Sequence, residues 1–530
     1  MKSNYYKILI LCLLCAVAYF NALSAGFVLD DKALVINNPL GKSLSLLPNT
    51  FQQGLYDHWV SPQGYDRMYR PLQVVSYWLD YNLFGPGPYG YHLANIIWHL
   101  LNVLLIFYLF TLLLKKSQTA FFAAALFAVC PLQSSVVAYI SSRADLLAAF
   151  FMLGAMASFL KSRYGLSIIA AILALFCRES SSLLFIFIGL ILFYRKSSIR
   201  AYWLVLAYIL VDILFASLRC ALFGPSGLAT HPALFGFWPH ALNFLNIIFH
   251  YFRLAIFPFN LHFLRVIDFV KPGSVIFILA FTLLTAVIIW RLRKNSNFIF
   301  GLGWFIIGLL PGWAFLDGYP LLGKAMMAES WLYLSLAGLF FILAVFLARL
   351  KIIGRLIFML ILIYYLCLTI FNTVFWQNEV ALLNRVLKFT NQRNILRKDL
   401  IDAYLERGAY GQAFKEINKF SVDFGHTGLM NIVWGNYYLA VGRPGAAIEK
   451  FNRAIVDNRH FFLYYRLSAG YKQKGDLAKA IEFGLASQKA NPSFVLNLIQ
   501  LSELYNLKHE AALAGQYRQA AKKIDPKNVR

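Results

Sequence analysis

The chain has 530 residues, 60% of them hydrophobic and 14% charged, with 49 Lys and Arg against 24 Asp and Glu and a formal net charge of +25. A mean hydropathy of +0.61 over that length excludes a soluble globular protein and a disordered one, and leaves a polytopic membrane protein. The basic residues fall in small clusters between apolar runs, so they read as topology signals and exclude a nucleic-acid partner; the remaining excess suits anionic membrane lipids or a phosphate-bearing substrate.

A short basic start, Met1 to Lys7, leads into an apolar run over 8–24. It is expected to be an uncleaved first membrane helix, with a cleaved signal peptide as the alternative. The run ends in Phe27-Val28-Leu29-Asp30-Asp31. A charge costs about 2.5–3.5 kcal/mol at the centre of a membrane helix and less at its exit. Two adjacent carboxylates there are either a solvated helix end or a catalytic base held at the membrane surface. Residues 25–92 then form a long first outer loop rich in aromatics, with Trp59, Tyr65, Tyr69, Tyr77, Trp78 and Tyr81, a composition suited to the membrane interface.

Further apolar runs follow near 93–114, 118–137, 144–160, 164–177, 181–194, 201–218, 240–257, 274–290, 298–315, 331–348 and 353–375. With the N-terminus in the cytoplasm, Lys115-Lys116, Lys161/Arg163 and Arg195-Lys196/Arg200 sit on cytoplasmic turns, as positive-inside topology requires. The same rule holds for Arg291, Arg293 and Lys294, and for Arg349, Lys351 and Arg355, only if 240–257 does not cross. That segment carries His240, His250 and Arg253 ahead of Pro258 and suits a re-entrant or interfacial helix. The expectation is about eleven crossings. Asp30, Asp31, Arg70, Arg143, Asp145, Arg178, Glu179, Arg265 and Glu329 then all fall at the non-cytoplasmic face, where charges distant in sequence could share one cavity. The six cysteines lie mostly within or beside apolar runs, so no disulfide framework is expected. No Asn-x-Ser/Thr sequon with x other than Pro occurs, in keeping with a bacterial membrane protein.

After about residue 376 the chain turns polar and repeats with a period of about 34. Leu400/Tyr404/Gly408/Ala413/Phe414 recur as Trp434/Tyr438/Gly442/Ala447/Ile448 and as Leu467/Tyr471/Gly475/Ala480/Ile481, with a weaker copy at Tyr505, Ala514, Ala520 and Pro526. The pattern resembles the tetratricopeptide repeat, an α-solenoid whose surface takes peptide or protein segments or serves as a spacer. The expected architecture is all-α: a polytopic membrane helix bundle over 1–376 followed by a repeat solenoid over 377–530.

Four stretches of the membrane part go beyond hydrophobicity. They are Phe27-Val28-Leu29-Asp30-Asp31; Tyr69-Arg70-Pro71-Leu72 leading to Gly90-Tyr91-His92-Leu93-Ala94-Asn95 and His99; Val136-Val137-Ala138-Tyr139-Ile140-Ser141-Ser142-Arg143-Ala144-Asp145-Leu146-Leu147; and Glu329-Ser330-Trp331-Leu332-Tyr333-Leu334. In this order, with the repeat tail, the chain resembles the transmembrane and tetratricopeptide-repeat O-mannosyltransferase family, glycosyltransferases of the GT-C architecture, and its bacterial relatives.

The resemblance implies a polyprenyl-phosphate sugar donor and inverting transfer to an acceptor hydroxyl on a protein, lipid or glycan. The topology read from the basic residues places the expected active site and repeat domain on the non-cytoplasmic side, expected to be the periplasmic side of a bacterial inner membrane. Such a transfer needs a base for the incoming hydroxyl and cations for the departing lipid phosphate. Asp30 matches the family's first-loop acidic position and is the candidate base. Asp31 is its partner, orienting the acceptor or raising the Asp30 pKa by like-charge repulsion. Arg143 and Arg178 suit bidentate phosphate binding, with Arg70 a further candidate. Asp145 is expected to hold Arg143, Glu179 to hold Arg178, and Glu329 to line the cavity from the opposite side.

His92 and His99 lie seven residues apart with no further ligands evident, which favours packing or hydrogen bonding over metal binding. Adjacent carboxylates are also divalent-ion ligands, but the resemblance implies metal independence, and no cofactor beyond the lipid-linked donor is expected. One departure stands out. Where relatives often read His-Pro-x-His-x-Glu, this chain has Cys130-Pro131-Leu132-Gln133-Ser134-Ser135. The competing reading is therefore a non-catalytic membrane scaffold that displays the repeats to protein partners. A transporter would show paired half-sequences, and none is seen.

Overall fold

The computed structural model describes residues 2–57, 68–224, 237–268, 272–311, 324–389, 394–424, 428–457 and 460–529. Trp59 and Tyr65 of the aromatic loop, and the end of the apolar run 298–315, lie outside the described residues. The chain divides into two compact units, Met1–Ala25, Asp66–Gln73 and Pro88–Gln377 in one, and Gly26–Tyr65, Val74–Gly87 and Asn378–Arg530 in the other. Most of the first outer loop is thus grouped with the repeats.

The first unit is a bundle of apolar helices. Among the described residues, six segments are long and apolar enough to cross a membrane: Asn4–Ser24, Pro88–Leu114, Ile140–Leu160, Ile199–Phe223, Val275–Leu292 and Lys351–Val374. A seventh is a bent pair, Ser117–Ala128 and Pro131–Val137, meeting at 50°. The bend falls at Pro131, whose ring and missing N–H interrupt the helical ladder. Four more apolar runs, Tyr164–Cys177, Glu179–Tyr194, Ser296–Leu309 and Leu336–Arg349, form shorter helices. At 1.5 Å per residue the 14-residue members reach only about 21 Å, short of a hydrocarbon core of about 30 Å. Among the described residues, the eleven expected crossings correspond to six long helices, one bent pair and four shorter apolar helices. The helix Phe237–Ile256 is outside that apolar set; it buries Phe244, Ile247, Tyr251 and Leu254 at a 3-4-3 spacing, the mark of an amphipathic helix.

Among the described residues, the all-α expectation holds with one exception. Strand β1 (Leu264–Asp268) pairs antiparallel with β2 (Lys324–Ala328), Arg265 opposite Met327. Small residues set the closest approaches in the bundle. A Cβ on Gly338 would strike the Gly301 carbonyl oxygen and the Trp304 side chain, so the helices Ser296–Leu309 and Leu336–Arg349 pack backbone to backbone. Ala120, Ala123, Ala124, Ala125 and Ala128 are all fully buried in the helix after residue 116.

In the second unit, residues 26–57 form short turns, and the repeats form four helical hairpins. Their first helices are α1 (Asn394–Glu406), α3 (Gly428–Ala440), α5 (Phe461–Lys474) and α7 (Val495–Leu507). Their second helices are α2 (Tyr410–Phe424), α4 (Pro444–Asp457), α6 (Leu477–Ala490) and α8 (Ala511–Ile524). A further helix, Glu379–Phe389, precedes them. The recurrent glycine terminates each first helix in the left-handed region: Gly408 at φ +70, Gly442 at +76 and Gly475 at +87. In the weaker fourth copy His509 takes that conformation at φ +62. Ala413, Ala447, Ala480 and Ala514 are buried where the second helix of each pair meets the first.

Candidate functional site

The acidic doublet sits in a tight turn of the second unit. Asp31 N–H donates to Val28 O at 3.0 Å, and the Asp31 carboxylate accepts from Val28 N–H at 3.0 Å. Leu29 is forced to φ +50, a left-handed conformation that costs a leucine about 1–2 kcal/mol. Such strain persists only where surroundings over-determine it, and it gathers at functional sites. The surroundings here are explicit. Leu29 N–H donates to Glu379 Oε1 at 3.1 Å, and Lys32 Nζ reaches Glu379 at 2.6 Å and Glu406 at 2.9 Å. Burial alone would lower the Lys32 ammonium, but Glu379 and Glu406 outweigh it and hold its pKa above the ordinary lysine value. The two aspartates are unequal. Asp31 is fully buried, whereas Asp30 is exposed and takes a hydrogen bond from the Tyr56 hydroxyl at 3.2 Å. An exposed carboxylate on a rigid turn can reach an incoming hydroxyl; a buried one that closes the turn shapes it instead.

The cationic candidates lie in the first unit, where the ion pairs are exchanged relative to the sequence expectation. Asp145, in the first turn of the helix Arg143–Leu160, pairs with Arg178 and not, as expected, as the holder of Arg143. Glu179 pairs with Arg70 at 3.1 Å and accepts Tyr69 N–H at 3.1 Å, in place of its expected role toward Arg178. The physical reason is the break between the helices ending at Cys177 and starting at Leu184. It turns two neighbouring residues, Arg178 and Glu179, to different partners.

Arg143 is fully buried; its guanidinium donates to the Asn95 side chain and, at 2.8 Å, to Tyr91 O. Asn95 in turn binds Val137 O and Tyr139 O at 3.2 and 3.0 Å. This arrangement suits a positioning residue.

Asp145 and Arg178 line a cavity of about 50 Å³ with Ser180, Ser330, Trp331 and Tyr333, room for about one or two waters. Glu329, expected on that wall, is turned away: its carboxylate is buried against Arg265 Nη2 at 2.7 Å and His262 N–H at 2.9 Å. Its neighbours Ser330 and Trp331 face the cavity instead.

A buried network centres on Tyr333. His99 Nδ1 is 2.9 Å from its hydroxyl, with Nε2 3.1 Å from Ala128 O. Asn102 donates to the same hydroxyl at 3.1 Å and Gln133 to Tyr333 O at 3.3 Å. His99 is a hydrogen-bonded core residue. Gln133 shows that the stretch Cys130–Ser135, which lacks the relatives' histidines and glutamate, is packed into the bundle.

Sequence reasoning missed Lys32, Glu379 and Glu406 around the acidic turn, and Ser180 and Tyr333 at the cavity as lining groups. Lys32 adjoins the doublet and was within reach of the reading; the glutamates lie some 350 residues on and carried no local signal.

No protein-family model matches the chain. A protein O-mannosyl-transferase of Caenorhabditis elegans is 34% identical over 161 residues, 30% of this chain and 23% of the relative. One of Mus musculus is 32% identical over 163 residues, 30% and 17% of the two chains, and one of Drosophila melanogaster is 34% identical over 184 residues, 33% and 21%. The chain spans about a fifth of the length of these curated relatives. The resemblance read from the motifs is matched by these names.

Among solved structures, the MamA protein aligns with 28% of this chain and 81% of its own at 24% identity and a TM-score of 0.23. A crystallised tetratricopeptide-repeat domain aligns with 71% and 92% at 11% identity and a TM-score of 0.20. Scores that low carry no argument, and the repeat fold rests on the four helical hairpins themselves.

Proposed function

We propose that the chain is a membrane glycosyltransferase that moves a sugar from a polyprenyl-phosphate donor to an acceptor hydroxyl, with inversion, on the periplasmic side of a bacterial inner membrane. The similarity to protein O-mannosyl-transferases supports the class. The observation that carries the site is the strained acidic turn, with Asp30 exposed above a buried Asp31. In this reading Asp30 takes the proton of the acceptor hydroxyl as its oxygen attacks the anomeric carbon. The bond from that carbon to the phosphate oxygen breaks, and the lipid phosphate leaves. In the first unit, Arg178, paired with Asp145, is the group suited by chemistry to a phosphate. Arg70 keeps the break at Arg178-Glu179 in shape through Glu179, and Arg143 and Glu329 support the walls. The donor is a substrate, and no metal is assigned.

The replaced histidine-rich element at Cys130–Ser135 favours the competing reading, a scaffold that displays the repeats. Membranes containing the wild-type chain, incubated with a panel of radiolabelled polyprenyl-phosphate sugars, separate the two. Transfer with an inverted anomeric centre in the product, read by NMR, supports the enzyme. Absence of turnover with every donor, in well-folded protein, moves the assignment to the scaffold.

A further inference from the structure

The bundle carries a second hollow, much larger than the cavity at Asp145 and Arg178. It is a groove of about 460 Å³, lined among others by Phe185, Leu190, Phe193, Tyr202, Leu206 and Ile307, and its volume lies within the roughly 300–1,000 Å³ of ligand sites. Two walls come from the helices Leu184–Tyr194 and Trp203–Phe223, and Ile307 of the helix Ser296–Leu309 completes the lining. The lining is apolar apart from the Tyr202 hydroxyl. Gly189 keeps it open: a Cβ there would meet no atom within 4 Å. Along the first helix the groove runs from Phe185 to Phe193, about 12 Å at 1.5 Å per residue. Half of a hydrocarbon core of about 30 Å is about 15 Å, so the groove matches the depth of one leaflet.

At one end the groove meets a basic turn. Phe193 and Tyr202 flank that end, and the chain between them carries Arg195, Lys196 and Arg200. All three are exposed, and among the described residues none of their side chains has an ion-pair or hydrogen-bond partner. No Asp or Glu occurs anywhere from residue 180 to residue 211. The turn is held by its backbone: Lys196, at φ +52, donates its N–H to Phe193 O at 3.1 Å, and Ser197 N–H donates to Leu192 O at 3.0 Å. Arg195 follows Phe193 by two residues and Arg200 precedes Tyr202 by two, which leaves the cations within about one helical turn of the groove. Trp203, 71% exposed, adjoins them, as aromatic residues do at the headgroup level.

We propose that the groove and the turn together hold one anionic phospholipid, with an acyl chain along Gly189 and the phosphate among Arg195, Lys196 and Arg200. Charge complementarity selects this occupant. A neutral lipid would fill the groove and leave three cations unanswered, and a soluble anion would meet the cations and leave the groove empty. The inference requires only that the chain lies in a membrane, and it is independent of the glycosyltransferase reading.

The experiment titrates the full chain, purified in a neutral detergent, with palmitoyl-oleoyl phosphatidylglycerol or with phosphatidylcholine of the same chains, and counts bound lipids by native mass spectrometry. The wild type should retain one phosphatidylglycerol with an affinity at least about tenfold above that for phosphatidylcholine, because each cation near an anionic headgroup adds roughly fivefold. Arg195→Gln with Arg200→Gln should cut that preference by at least about fivefold; Lys196 remains as a positive charge on the turn to hold the topology. Gly189→Leu should weaken both lipids by at least about fivefold by filling the groove, and since leucine is a better helix former than glycine the loss is not one of folding. Gly165→Leu, where a Cβ is equally unopposed and no groove is lined, should change neither affinity. Equal affinity for the two lipids in the wild type overturns the inference, as does phosphatidylglycerol binding untouched by Gly189→Leu. A dimer of the chain that Gly189→Leu dissociates assigns the groove to a second copy and overturns it too.

Discussion

Replacing Lys42 with methionine removes one half of a deeply buried ion pair in the repeat-bearing unit. Lys42 Nζ lies 2.5 Å from Asp525, the side chains being 7% and 3% exposed. Asp525 also accepts the Tyr81 hydroxyl at 2.7 Å and Asn528 Nδ2 at 3.0 Å, while Lys527 Nζ reaches Tyr81 O at 2.7 Å. The cluster fastens the end of the repeats to Lys42 and to Tyr81 on the helix Pro71–Phe84.

Breaking a buried pair strands the surviving charge and costs about 3–5 kcal/mol. Part of that is recovered here because Tyr81 and Asn528 still serve Asp525, so the expected cost is about 3 kcal/mol. At about 1.4 kcal/mol per tenfold, hydrogen exchange of amides in 511–529 and 74–84 should speed up by roughly 100-fold. The double variant Lys42→Met with Asp525→Asn should restore at least half of the loss, because no buried charge remains.

The pH dependence follows from the carboxylate. Burial acts to raise Asp525, but Lys42, Tyr81 and Asn528 outweigh it and hold its pKa below the ordinary aspartate value. A carboxylate depressed in the folded state contributes stability that is present above its unfolded pKa near 4 and is lost as pH falls through the folded one. The wild-type latch should therefore be flat from pH 5 to 8 (roughly) and fail only in stronger acid. Exchange in Lys42→Met within about threefold of wild type would refute the reasoning, since the pair would then contribute less than about 1 kcal/mol.

Three further outcomes are expected. Gly475→Ala should cost about 1 kcal/mol, because φ +87 is strained for any residue with a Cβ, whereas His509→Gly should stabilise by a few tenths to 1 kcal/mol; thermal unfolding of the two variants gives the signs. A Cβ at Gly435 would strike the Phe451 ring, so Gly435→Ala should cost about 1–3 kcal/mol and raise exchange first in Gly428–Asp457. Arg178→Ala leaves the Asp145 carboxylate without its partner at the cavity. It should lower kcat more than KM for donor if the guanidinium acts on the leaving phosphate, and an unchanged kcat would argue that the pair is structural.

The repeats were legible because their signal is local and periodic. The tyrosine of each first helix is followed four residues later by the residue that must turn left-handed, and that spacing survives even where His509 replaces glycine. Apolar runs gave the helices of the bundle but not their lengths, since Pro131 bends one run and turns such as that at Arg178-Glu179 shorten others. The acidic doublet was visible as charge at a helix exit. Its division into an exposed Asp30 and a buried Asp31 was not, because that depends on Leu29 adopting φ +50 against Glu379. Pairings such as Lys42 with Asp525, separated by 483 residues, have no periodicity to betray them. The exchange of arginine partners has the same origin: Arg70, Arg143 and Arg178 are equally eligible by residue type, and only the helix ends decide which carboxylate each meets.

The measurement that tests the central claim most directly is sugar transfer by Asp30→Asn beside Asp31→Asn, both checked for monodispersity in detergent. If Asp30 is the base, Asp30→Asn should lose at least about 100-fold in kcat with little change in thermal stability. Asp31→Asn should instead weaken the turn through the Val28 contact and retain measurable transfer in the protein that folds. Full activity in Asp30→Asn would contradict the account and remove the acidic turn from the chemistry.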